Sequence, residues 1–85
     1  MKVPKRSIAI HGRKTSISLE DAFWQCLQKI AEERKVTPSR LGSGIEAHRR
    51  TGNLSSVLRV FILEHYKDQL DRQARISEES RKAAQ

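Results

Sequence analysis

The stretch Thr15-Ser16-Ile17-Ser18-Leu19-Glu20 most constrains what this chain can fold into. Apolar and small polar residues alternate through it, with Ile17 and Leu19 on one face and Ser16 and Ser18 on the other. Period two marks a half-buried strand. Directly after it, Phe23, Cys26, Leu27, Ile30 and Ala31 recur at the spacing of an amphipathic helix. The open face of the strand is polar and small, and Arg13 and Lys14 flank it. Such a face suits the edges of nucleic-acid bases.

Charge placement points the same way. The formal net charge is +7 over 85 residues. Lys2, Lys5, Arg6, Arg13 and Lys14 fall within the first 18 residues, which hold no acid, and the rest of the chain is nearly balanced. A concentrated basic patch favours a polyanion, either nucleic acid or an anionic membrane. The longest strictly apolar run, Val60 to Leu63, is far too short to span a bilayer. No apolar stretch follows Met1-Lys2-Val3-Pro4-Lys5, so no secretory signal is expected. The single Cys26 lies on an apolar helix face and reads as a buried thiol in a reducing compartment, which implies a cytoplasmic protein.

A chain of this length forms one domain with a thin core, for which self-association is a common remedy. Residues 1–6 read as a flexible basic arm, 7–67 as the folded domain and 68–85 as a polar tail, frayed or disordered. Ser7-Ile8-Ala9-Ile10 has its apolar residues at even positions, whereas Ile17 and Leu19 are odd. A turn or bulge at His11-Gly12-Arg13-Lys14 must separate the two segments. The preferred solution is a hairpin pairing Ile10 with Thr15 and Ile8 with Ile17; the other is a separate arm.

Helix one is expected from about Asp21 to Arg34. Thr37-Pro38 starts helix two, an N-cap followed by proline. Leu41, Ile45 and His48 form its narrow apolar stripe, and Gly42 and Gly44 predict a short or irregular helix. Arg49-Arg50 fits its C-terminus and Gly52 the residue beyond. Asn53 caps helix three, from about Leu54 to Gln69. Val57, Leu58, Val60, Phe61, Ile62 and Leu63 cover nearly every side of that helix, so it must be buried all round. One short chain cannot do this, and two copies at a two-fold axis are implied.

The phrases Arg6-Ser7, Thr15-Ser16-Ile17-Ser18-Leu19-Glu20, Phe23-Trp24, Asn53-Leu54-Ser55-Ser56 and Leu58-Arg59-Val60-Phe61 resemble the ribbon-helix-helix superfamily of the Arc and MetJ repressors, in particular its small bacterial members. The resemblance covers roughly residues 6–67. It implies a mainly α fold with a short β-ribbon, built as an intertwined homodimer, here with one helix more than the simple pattern. It also implies that a strand from each chain pairs antiparallel and that this ribbon enters the DNA major groove. The base-facing positions would then be Lys14, Ser16 and Ser18, with Thr15, Ile17 and Leu19 turned to the core. Lys can donate to guanine acceptors and a Ser hydroxyl can donate or accept.

Phosphate contacts would come from Lys2, Lys5, Arg6 and Arg13, and from the N–H groups of a helix start. Either Thr37-Pro38-Ser39 or Asn53-Leu54-Ser55-Ser56 could supply that start, and the second is favoured. The dimer core would use Ile17, Leu19, Val57, Leu58, Phe61 and Ile62. Extra strands pose a problem of width: four strands span about 15 Å, against about 12 Å for the major groove.

The bland readings are a solvated strand face for Lys14, Ser16 and Ser18, and plain capping for Asn53 and Ser55. His11, His48 and His65 show no metal-ligand spacing, so no metal and no cofactor are expected. Trp24 reads as a packing residue. No nucleophile–base set or phosphate loop is recognisable, so an enzyme is not expected. The leading expectation is a DNA-binding transcriptional regulator, a repressor on the resemblance. The others are an antitoxin with a protein partner on its C-terminal tail, and a dimeric interaction module that does not bind DNA.

Overall fold

The computed structural model describes residues 3–49 and 52–83. Two strands, β1 (Lys5–Ile10) and β2 (Arg13–Ser18), precede three helices, α1 (Asp21–Glu33), α2 (Pro38–Ala47) and α3 (Leu54–Ala83). The strands form one antiparallel hairpin. His11 and Gly12 alone make the turn, with φ of 51° and 80°. Positive φ at both central residues is what a two-residue hairpin turn requires to match strand twist.

This short turn corrects the expected register. Ile10 lies opposite Arg13, Ile8 opposite Thr15 and Arg6 opposite Ile17, rather than Ile10 with Thr15 and Ile8 with Ile17. A four-residue loop displaces every pair by two, which leaves the faces unchanged. Ile8, Ile10 and Ile17 therefore still share the core side, joined by Leu19, Leu27, Ile30, Ala31, Leu41, Leu58 and Ile62.

β1 lies against α2, and Gly42 makes that approach possible. A Cβ there would meet the Ile8 and Ile10 Cδ1 atoms at 2.9 and 3.0 Å. Two serines one turn apart on α2 then bond the outer edge of β1. Ser39 Oγ accepts from the Ala9 N–H and Ser43 Oγ from the His11 N–H, each at 3.0 Å. So α2 is an unbroken α-helix, short at ten residues but not irregular, and its Gly42 is a contact surface. Thr37 caps it by accepting from the Arg40 N–H at 3.1 Å. The helix stops at Ala47, which puts Arg49 beyond its last turn, bonded to Glu46 and to the Gly52 carbonyl. His48 is exposed rather than part of a buried stripe.

Asn53 caps α3, its Oδ1 accepting from the Ser56 N–H at 2.9 Å. Leu58 and Ile62 are buried within the single chain, while Val57 and Phe61 are half-buried. Val60 and Leu63 remain 52% and 57% exposed. The helix continues past Gln69 to Ala83. Asp68 with Arg72 and Asp71 with Arg75 have the acid-first i,i+4 order that supports a solvated helix.

Candidate nucleic-acid interface

Alternation along the hairpin sorts its side chains into two faces. One carries Arg6, Ile8, Ile10, Thr15 and Ile17 toward the helices, with Arg13 at its margin. The other carries Lys5, Ser7 and Ala9 from β1 opposite Ser18, Ser16 and Lys14 from β2. The residues of this second face are exposed, apart from half-buried Ser18, and none is acidic. Lys14, Ser16 and Ser18 are thus brought together as the sequence led one to expect. Ser7 and Ala9 join them, and sequence reasoning missed both. The even-numbered parity of Ile8 and Ile10 was the available signal, but only the hairpin register converts it into neighbours.

The basic residues divide. Lys5 and Lys14 stand on the polar face. Arg6 lies on the opposite face, donates to the Leu19 carbonyl at 3.2 Å, pairs with Asp21 and stacks over the Trp24 ring at 5.2 Å. Arg13 is exposed beside the turn on that same side. Lys2 lies outside the described residues.

Both candidate helix starts abut the ribbon. The α2 start reaches the turn end of β1 through Ser39. The α3 start is tied to the other end of β2, where Ser55 Oγ accepts from the Ser18 N–H at 2.9 Å. One turn later Arg59 donates to the Ser18 carbonyl at 2.9 Å and to Glu20 Oε1 at 2.8 Å. The Arg59 hydrogen bond is the main reason that the Glu20 carboxyl titrates below its ordinary value. Leu54 is half-buried and Ser56 exposed at this helix start.

Of the residues assigned to a dimer core, Ile17, Leu19, Leu58 and Ile62 are already enclosed within one chain. Val57 and Phe61 instead line a groove of about 850 Å³ between α2 and α3, with Val36, Leu41, Ile45 and Val60. Arg34, Arg40, His48 and Glu64 also border it. Cys26 is half-buried and packs against the core, not enclosed within it. Burial, with Cys26 and Glu33 nearby, raises the pKa of Tyr66.

A hairpin that feeds an amphipathic helix and two more, with one polar basic face, agrees with the family comparison: the model of the ribbon-helix-helix domain matches residues 3–66. The chain belongs to the ribbon-helix-helix family. No curated protein and no solved structure matches the chain. Members of the family generally bind DNA, as transcription regulators or antitoxins, and typically as dimers. The match takes in the ribbon, α1, α2 and the first part of α3, and leaves the solvated end of α3 outside it. No helix among the described residues is long and apolar enough to cross a membrane.

Proposed function

We propose that this ribbon-helix-helix protein is a sequence-specific, cytoplasmic transcriptional repressor that works as a homodimer and sets its ribbon in the DNA major groove. The observation that carries this reading is the exposed, acid-free ribbon face of Lys5, Ser7, Ala9, Lys14, Ser16 and Ser18. Lys14, Ser16 and Ser18 are the base-reading set, since donors and acceptors aimed at base edges discriminate sequence whereas phosphate contacts do not. Lys2, Lys5 and, from beside the turn, Arg13 supply phosphate-directed charge, whereas Arg6 lies on the opposite face, held by Leu19, Asp21 and Trp24, and does not. Asn53, Leu54, Ser55 and Ser56 form the phosphate-holding helix start, because N–H groups of a first turn favour an anion. Arg59 and Ser55 support that role by tying this start to the strand end.

The test is a titration of operator and random duplex DNA, the operator first selected from a random pool. Ser16→Ala with Ser18→Ala should bring operator binding down toward the non-specific level while random-DNA binding stays nearly unchanged. Full discrimination in that double variant would remove the ribbon face as the reading surface. A second reading, an antitoxin, draws on the exposed Leu70 and Ile76 of α3 beyond the family match. A small protein that co-purifies and needs both residues would favour it.

A further inference from the structure

In an antiparallel hairpin, paired residues alternate between those bonded to each other and those whose backbone groups point outward. Ile10 and Arg13 flank a two-residue turn and are a bonded pair, so Ile8–Thr15 and Arg6–Ile17 are bonded too. Lys5, Ser7 and Ala9 of β1 and Lys14, Ser16 and Ser18 of β2 direct their N–H and C=O groups away from the ribbon. The bonds from Ala9 to Ser39 and from Ser18 to Ser55 agree with this.

The two outer edges are not equivalent. That of β1 is covered by α2 at Ala9 and His11. A second copy pairing on the remainder, Lys5 to Ser7, would set Arg6 against Arg6. Among the described residues the β2 edge is capped only at Ser18, by Ser55 and Arg59. Lys14 and Ser16 are left with outward backbone groups, one on each side of Thr15.

Three two-fold registers of β2 on β2 keep the core faces aligned and use these residues. Centring on Lys14 sets two like charges opposite each other, which is unfavourable. Centring on Ser16 requires Lys14 to bond Ser18, whose N–H and carbonyl are already engaged. Centring on Thr15 pairs Lys14 of each copy with Ser16 of the other and uses every open group. It also makes a Thr–Thr cross-strand contact.

We propose that the DNA-facing sheet is four strands wide, in the order β1-β2-β2-β1, with Thr15 opposite Thr15 of the second copy. This rests on the DNA-binding reading above and adds the layout of the reading surface. Neighbouring strands lie about 4.8 Å apart, so the two β2 strands fit a groove about 12 Å wide while the two β1 strands, about 14 Å apart, do not. The β1 strands therefore lie over the sugar–phosphate walls. Lys5 reaches phosphate there, and the small Ser7 and Ala9 let the strand approach. Lys14 and Ser16 of both copies become the central reading set, and Ser18 is peripheral.

The register is tested without DNA. In a Cys26→Ser background, single cysteines are placed at positions 14, 15 and 16 and oxidised. Thr15→Cys should give a disulfide-linked dimer, because opposed residues of a non-bonded pair lie about 4.5 Å apart. Ser16→Cys alone should not, being displaced by two residues and about 7–8 Å from its copy. Efficient linkage by Ser16→Cys, or linkage by neither variant, overturns the register.

The layout is tested with DNA through Lys5→Glu, on the exposed face of β1 opposite the peripheral Ser18 and away from Lys14 and Ser16. It should weaken binding to operator and random duplex by the same factor, about tenfold or more, with the ratio between them unchanged. A changed ratio, or no weakening, overturns the placement of β1. If the unsubstituted protein binds no DNA while Thr15→Cys still links, the DNA-binding reading fails and the register stands.

Discussion

Gly42 and Gly44 lie two residues apart on α2, yet an added methyl group meets different surroundings at each. At Gly44 it meets nothing within 4 Å, whereas at Gly42 it presses on Ile8 and Ile10. Gly44→Ala should therefore gain the full helix-propensity difference, about 1 kcal/mol. Gly42→Ala gains the same amount but loses roughly 1–3 kcal/mol to overpacking of a buried contact. The first variant should be the more stable of the two by that overpacking cost. Urea midpoints with unchanged slopes measure it. Equal midpoints would mean that β1 does not rest on Gly42.

Elements here are joined by a few polar ties, and one of them responds to pH. Arg59 of α3 holds Glu20 at the start of α1 and the last carbonyl of β2. The Glu20 pKa is lowered in the folded chain, so the folded state holds the proton less readily than the unfolded state. The contribution of the pair is complete above the unfolded value near 4.5 and is lost as pH falls through the lower folded value. Melting temperatures of the wild-type protein and Glu20→Gln should differ at neutral pH and converge below that range. A constant difference down to acid pH would exclude the pair as the cause. The sequence revealed the elements more readily than these ties. The alternation of Ile17 and Leu19 identified β2, the helical recurrence from Phe23 to Ala31 identified α1, and Thr37 and Asn53 marked two helix starts. Hydrophobic period and capping are local, so they survive in a single sequence. The register of the hairpin depended on whether His11 would accept positive φ, which composition does not encode. Ser39 and Ser55 stand out in the sequence as parts of helix starts and Arg59 as part of a family phrase, but their ties to the ribbon and that of Ser43 are not visible there, because the partners lie 30 or more positions away. The far end of α3 carries no apolar stripe, and the acid-first spacing of Asp68 with Arg72 and Asp71 with Arg75 is too weak a signal to separate a solvated helix from a frayed or disordered tail.

The whole molecule leaves an apolar surface that one chain does not cover. Leu58 and Ile62 complete the core from one side of α3, while Val57, Val60 and Phe61 turn toward the groove between α2 and α3. That groove has room for several side chains, and its lining is continuous with the core through Leu41. A second copy seated there would cover Val60 and Phe61 together. Val60→Glu is a sharp test, because Val60 is 52% exposed and its replacement leaves the core of the single chain intact. The wild-type protein should sediment as a dimer at micromolar concentration, with a melting temperature that rises with concentration as mass action requires. Val60→Glu should shift it to monomer and remove that dependence, since burying an unpaired carboxylate at the contact is strongly unfavourable. Helical content by circular dichroism should be nearly unchanged at low temperature. If Val60→Glu remains a dimer of undiminished affinity, the groove is not the contact. Association would then rest on the open edge of β2 alone, where only Lys14 and Ser16 of each copy offer backbone groups, and so short a pairing would leave the dimer far weaker than micromolar.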